Sequence, residues 1–251
     1  RSYLNQVTDL QAQTLYLSAI AGGATGVGGL ALLVIRKIDE HGLGHFLALA
    51  AGMMAAAALW SLTLPALQYE GAALYVLGAM AAGAGVMKAL DFLLPHEHPH
   101  EYEGSKRAFR TALLMSSAIA LHNLPEGFAV GATPADAAGG TALSIGLQNI
   151  PEGMIVATAL WAAGMNKWFA AAIALATGLV EPVGAMAGLY VSDYFEMGSP
   201  IAMGLAAGAM FFVVWHEMWP EARKRLNSNK AQITLGAALV STSLVLNWIG
   251  A

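Results

Sequence analysis

The sequence predicts an all-α membrane protein that crosses the bilayer eight times, and three observations lead there. Hydrophobic residues make up 57% of the 251 residues and charged residues only 11%, against about 25% charged in a typical soluble domain. Mean hydropathy is positive, at +0.58. Eight stretches hold the ~20 predominantly apolar residues that a helix needs to cross the hydrocarbon. A water-facing surface needs charge that this composition does not supply, whereas a lipid-facing one does not.

In chain order, span 1 is read over 12–35 and is followed by Arg36 and Lys37. Spans 2 and 3 cover 44–66 and 71–94. Lys106, Arg107 and Arg110 lie between spans 3 and 4, and span 4 covers 108–132. Span 5 covers 140–163, Lys167 precedes the body of span 6 at 167–190, and span 7 covers 199–219. Arg223, Lys224, Arg225 and Lys230 then lead into span 8 at 231–250. Only Arg1 and Lys88 fall outside these odd-numbered connections, and the even-numbered ones hold no Lys or Arg. The positive-inside rule puts odd connections in the cytoplasm and both termini outside. The connections are short, so 1–251 is expected to be a single transmembrane domain.

The outer connections are acidic where charged, with Asp9, Glu70, Asp136, Asp193 and Glu196. Such charges can draw cations to an outer mouth, or be ordinary solvated loop residues. The chain has no cysteine, a formal net charge of −4 and no basic stripe. A disulfide framework, thiolate metal sites and nucleic-acid binding are therefore not expected. No signal-peptide pattern opens the chain, and Arg1 in place of Met leaves room for a preceding piece. Gly22/Gly26, Gly184/Gly188 and Gly204/Gly208 form G-x-x-x-G pairs, which let helix backbones approach closely in lipid.

The informative residues are polar ones inside the spans. A charge at the bilayer centre costs ~2.5–3.5 kcal/mol on insertion scales, so it needs a partner or a purpose. Span 4 carries His122, Asn123 and Glu126, span 5 carries Gln148, Asn149 and Glu152, and span 6 carries Glu181. His122 and Glu126 are four residues apart and Asn123 and Glu126 three, so they share a helix face. Gln148, Asn149 and Glu152 repeat the arrangement. Imidazole nitrogen with carboxylate and amide oxygen suits divalent transition metals. Pro125 and Pro151 lack an N–H and clash with the carbonyls of Leu121 and Leu147. Kinks are expected there, with the freed carbonyls lining a polar cavity. The segments H-N-L-P-E-G (122–127) and Q-N-I-P-E-G (148–153) are near-copies on adjacent, antiparallel spans, the pattern of an inverted-repeat transporter. Glu181-Pro182 is a looser echo.

On these motifs the chain resembles the ZIP (Zrt/Irt-like) family of divalent metal transporters, most closely its prokaryotic members. The resemblance covers the whole chain, from the eight spans to the His-bearing connection between spans 3 and 4. It implies a binuclear metal centre between spans 4 and 5 and elevator-type alternating access by a homodimer. It also implies uptake of Zn²⁺, and variably Cd²⁺, Fe²⁺ or Mn²⁺, across a bacterial inner membrane into the cytoplasm. These ions are transported substrates, and no prosthetic cofactor is expected. Gln148 stands where eukaryotic members often have histidine, which replaces an imidazole by a weaker amide ligand.

Further candidate ligands lie nearby. His96, His98 and His100 with Glu97, Glu101 and Glu103 form a cytoplasmic run able to bind metal weakly. Asp91, at the inner end of span 3, is placed to pass ions to that run or to pair with Lys88. His216 and Glu217 fit an exit relay with it, or an interfacial polar pair beside Trp215 and Trp219. Met53 offers a soft thioether towards spans 4 and 5. Three glutamates disfavour simultaneous ionisation, so a proton held there is expected to compete with metal. A channel with the same ligands is the alternative reading. An intramembrane metalloprotease is not expected, because His216-Glu217 lacks the second histidine of H-E-x-x-H.

Overall fold

A computed structural model describes residues 3–35, 38–93, 105–194 and 197–249. The histidine run at 96–100, Glu97, Glu101, Glu103 and Glu196 lie outside the described residues. Among the described residues every regular element is helical. The helices are α1 (Tyr3–Ala31), α2 (Glu40–Ala57), α3 (Leu64–Leu67), α4 (Ala73–Leu93), α5 (Ser105–Ala132), α6 (Ala138–Ala162), α7 (Lys167–Gly178), α8 (Glu181–Tyr194), α9 (Gly198–Val213), α10 (Trp219–Arg225) and α11 (Ser228–Ile249). Six rods are long and apolar enough to cross a membrane: α1, α2 with α3, α4, α7 with α8, α9 with α10, and α11. The chain is therefore all-α and polytopic. Helices α5 and α6 are also long, but they carry the polar motifs and fall short on apolarity.

Local signals set several ends. Asp39 caps α2 by accepting from the Gly42 N–H at 2.8 Å, and Asn166 caps α7 by accepting from the Trp168 N–H at 2.8 Å. Lys167 Nζ donates to the carbonyls of Leu32 and Ile35 at 3.0 and 3.2 Å, satisfying chain beyond the end of α1. Gly71 (φ 72°) and Gly164 (φ 92°) supply the left-handed turns after α3 and α6.

Prolines act differently from place to place. The α2–α3 rod widens into a π-helical segment at Ala58–Thr63 ahead of Pro65, and the α9–α10 rod does so at Val214–Met218 ahead of Pro220. A wider turn accommodates a residue that has no N–H and crowds the preceding turn. Helices α5 and α6 instead run through Pro125 and Pro151 without losing their α-helical form. The real break falls in span 6, between Gly178 and Glu181, ahead of Pro182.

Glycine decides which rods touch most closely. A methyl at Gly184 or Gly188 of α8 would collide with the Leu124 or Phe128 carbonyl of α5, and one at Gly127 with the Glu181 carbonyl. Gly28 and Gly153 join α1 to α6 in the same way, and Gly22 and Gly178 join α1 to α7. A second seam joins α4 to α9 through Gly83 and Gly208, and Gly52 sets α2 against α11. Among the described residues, these seams divide the rods into two groups: α1 with α5–α8, and α2–α4 with α9–α11. The groups meet where α2 packs on α6, and where α5 and α8 pack on α9. Among the described residues, close approach of a glycine to backbone across this boundary is confined to Gly198 at the start of α9, which lies against the Val191 and Ser192 carbonyls of α8.

Gly208→Val is expected to destabilise the fold by at least the about 1–3 kcal/mol typical of overpacking, because the obstacle is backbone. Gly85→Ala, which meets nothing within 4 Å, should stay within about 0.5 kcal/mol of the parent. Thermal unfolding in detergent, with equal loss in both variants, would count against the seams.

Candidate metal centre

The polar residues of α5, α6 and α8 meet inside the first group. Asn123, Glu126, Gln148, Asn149 and Glu181 are 0% exposed, and Glu152 is 3% exposed. Glu126 lies within Coulombic range of both Glu152 and Glu181. Proximity of three carboxylates in a low dielectric is costly, and a divalent cation is the most direct compensation.

The two asparagines are held alike. Asn123 Nδ2 donates to the Thr177 carbonyl of α7 at 2.9 Å, and Asn149 Nδ2 donates to the Ala21 carbonyl of α1 at 2.9 Å. Each bond spends the amide's N–H on backbone and leaves its Oδ1, which has no protein hydrogen-bond partner. Asn149 Nδ2 also donates to Glu181 Oε1 at 2.5 Å. Glu181 opens α8, so its carboxylate sits at the positive end of that helix. The break ahead of Pro182 creates that placement.

Several buried oxygens have no partner in the protein: both carboxylate oxygens of Glu126 and of Glu152, Oε2 of Glu181 and Oε1 of Gln148. Gln148 lies beside Glu126 without a well-formed hydrogen bond. Buried polar atoms are rarely left so, and a cluster of them requires a reason. Thr25 Oγ1, beside Gly178, is another such oxygen at 0% exposure. Sequence reasoning missed it, since a threonine in a small-residue stretch reads as packing. Among the described residues no three His, Asp or Glu side chains already form a metal cage. Part of the donor set is engaged internally instead. His122 Nε2 lies 2.8 Å from Glu217 Oε2, and one Glu181 oxygen is held by Asn149.

Further polar residues lie towards both ends of α5. Glu217 is in the wide turn ahead of Pro220, next to His216, whose Nε2 lies 3.7 Å from Asp91 Oδ2. His122, Glu217 and Asp91 line one narrow cleft. His216 is largely exposed and its ring stacks on Phe212 at 4.7 Å. At the opposite end of α5, a cavity of about 660 Å³ is lined by Asp136, Thr133, Thr141, Ser61 and Gln68 among others. Thr133 and Thr141 hydroxyls lie 3.3 Å apart on its inner side. Met53 is only partly buried. Its neighbour Met54, 1% exposed, belongs to an apolar cluster that also includes Ala129 and Val130 of α5 and Ile145 of α6.

Comparison with known sequences shows the family. The family model described as "ZIP Zinc transporter" matches residues 94–244. "Zinc transporter GufA" of Myxococcus xanthus is 40% identical over 225 residues, covering 84% of this chain and 88% of that protein. "Zinc transporter ZIPB" of Bordetella bronchiseptica is 41% identical over 241 residues, covering 87% and 76%. "Zinc transporter ZupT" of Escherichia coli O7:K1 is 32% identical over 249 residues, covering 92% and 96%.

Removing an amide that satisfies buried acceptors costs about 1–3 kcal/mol. Asn149→Ala, which loses bonds to Ala21 and Glu181, is therefore expected to lower thermal stability more than Asn123→Ala, which loses one. Measured with chelator present, the reverse order would show that the amides do not serve as these clamps. The chain belongs to the ZIP zinc transporter family and is a transporter, not an enzyme.

Proposed function

We propose that this ZIP-family chain carries divalent transition-metal ions, Zn²⁺ foremost, across a bacterial inner membrane into the cytoplasm. The ions pass through a binuclear site between α5 and α6. The observation that carries this reading is the cluster of unpartnered carboxylate and amide oxygens on α5, α6 and α8. Glu126, Glu152 and Glu181, with Asn123, Gln148, Asn149 and His122, supply donors for two ions, or for one ion and a proton. Cd²⁺, Fe²⁺ and Mn²⁺ are further candidate substrates, since oxygen and imidazole donors serve them too. Met53 offers a soft thioether donor in addition. The relatives named above are zinc transporters by name, which favours zinc.

The topology follows from the same residues. The rods α1, α2–α3, α4, α5, α6, α7–α8, α9–α10 and α11 are taken as eight spans, α5 and α6 included because their polar faces turn inward. The two motif copies on α5 and α6 make the inverted repeat, and the basic connections put both described termini on the outer side. The chain is taken to act as a homodimer. Asp136 then lines an outer vestibule, and Glu217, His216 and Asp91 form the inner exit. His96 and His98 would receive ions beyond it.

Alternating access of elevator type is favoured over channel-like permeation by the two glycine-seamed groups. The group holding α5 and α6 can slide as a unit against the rest. Polar contacts that cross between the groups include His122 with Glu217, and the Ser199 hydroxyl donating to the Ala132 carbonyl at 2.9 Å. Metal loading at His122 would take the imidazole from Glu217 and so couple occupancy to movement.

Metal uptake into proteoliposomes, with several ions in competition, tests transport and ranks substrates together. Glu152→Ala is expected to reduce uptake to background, and His122→Ala to weaken zinc binding and alter the ion ranking. Uptake at the parental rate in Glu152→Ala would sink the binuclear site. Disulfides engineered between α5 and α9, or between α6 and α2, should arrest uptake reversibly, and full turnover in the crosslinked form would rule out sliding. Acid should weaken zinc binding by proton competition for the carboxylates and His122; an affinity unchanged between about pH 5 and 8 would exclude it.

A further inference from the structure

The two groups do not meet evenly along their contact. Between the tightly seamed pair α4–α9 and the tightly seamed pair α5–α8 lies a cleft of about 370 Å³, within the about 300–1,000 Å³ range of ligand pockets. Every residue lining it is apolar, including Val86 and Met87 of α4, Pro125 and Phe128 of α5, Ala187 of α8 and Leu205 of α9. Its rim is open: Val86 is 56% exposed and Val183 is 66% exposed. Leu77, Phe92 and Leu93 on α4 and Leu179 before α8 are exposed apolar residues of the same rods. Of the rods bearing the cleft, α4, α7–α8 and α9–α10 are long and apolar enough to cross a membrane, and on the eight-span reading the rim faces hydrocarbon.

The occupant follows from that environment. Water needs two to four polar partners to settle in a cavity, and this lining has none. An unfilled cleft would forfeit dispersion contacts along its whole wall. A lipid tail is as apolar as the leucines it would touch and is already at the rim, so it enters without an opposing solvation cost. We propose that the cleft is a binding site for one acyl chain of a membrane lipid, lodged between α4–α9 and α5–α8 directly behind the Pro125-Glu126 step of the metal motif.

For its effect on transport the proposal rests on the sliding reading above. If α5 and α8 shift against α4 and α9, the cleft changes shape in each cycle. A lodged chain then favours the arrangement that leaves room for it, and its departure is part of the movement. Occupancy of the cleft does not depend on that reading.

The full chain, reconstituted in phosphatidylcholine vesicles containing a phosphatidylcholine with a diazirine-tagged acyl chain, is irradiated and its adducts are mapped by mass spectrometry. Adducts are expected at Met87 and Phe128 well above the level at Trp248, which is 86% exposed on α11 and reports ordinary lipid contact. Ala187→Phe and Val86→Phe, which plug the rim, should each reduce the Met87 and Phe128 adducts severalfold, leave Trp248 labelling unchanged and alter zinc uptake severalfold. If one variant fails to fold, the other carries the comparison. Adducts at Met87 and Phe128 no stronger than at Trp248, or surviving both plugs, would overturn the site. Protection of Met87 by a copy-to-copy crosslink would assign the cleft to a second protomer and overturn it too. Uptake unchanged after the adducts are lost would overturn the link to movement. Normal labelling without zinc uptake in the parent would instead fault the transport reading and leave the acyl site standing.

Discussion

Three glutamates held out of water beside one another set the terms for the rest of the molecule. Each must be compensated within the protein, because the surrounding hydrocarbon offers no hydrogen bonds. Glu181 is served by the start of α8 and by Asn149. Glu126 has the carboxylates of Glu152 and Glu181 and the amide of Gln148 beside it, and Glu152 has His122 within Coulombic range. The helices around them are arranged accordingly. The break in span 6 exists where it delivers a helix N-terminus to Glu181, and both asparagines are tied to backbone so that an oxygen is left over. A centre of this kind is unstable as a purely structural feature and sensible as a cation site.

Holding such a centre requires neighbouring helices to close around it, and glycine is how they do so. The glycine after each motif glutamate places α5 on the α8 backbone at Glu181 and α6 on the α1 backbone at Thr25. Removing side-chain bulk in this way brings main chains together and makes α1, α5, α6, α7 and α8 one closely locked body. The same device locks α4 to α9 and α2 to α11. Away from the approach of Gly198 to the end of α8, contact between the bodies is made by side chains and a few exchangeable polar bonds. The molecule is therefore tight where the ligands must keep their geometry and looser where sliding would occur. The apolar cleft behind Pro125 is the packing cost of that division.

The legible part of the site was polar chemistry in the wrong solvent. His122, Asn123, Glu126 and their counterparts in span 5 stand out in any apolar stretch, and their spacing alone puts each set on one helix face. The G-x-x-x-G pairs were legible as packing for the same reason: they need only a helical period. The prolines were less transparent. Helices α5 and α6 continue through Pro125 and Pro151, while an interruption falls before Pro182 and wide turns precede Pro65 and Pro220. A proline's effect depends on what neighbouring helices offer the freed carbonyl, which is not a local property.

By itself, then, the sequence determined that the chain is helical and membrane-crossing, which residues could ligate a cation, and that they occur as two near-copies. These properties depend on composition and on periods along single helices. Tertiary structure alone decided the pairings: His122 with Glu217, His216 with Asp91, Asn149 with Glu181, and Asn123 with Thr177. Each joins separate helices, so it depends on the rotation, depth and distance of one rod against another. Glycine–backbone contacts distributed over the whole bundle set those quantities, and no local period encodes them.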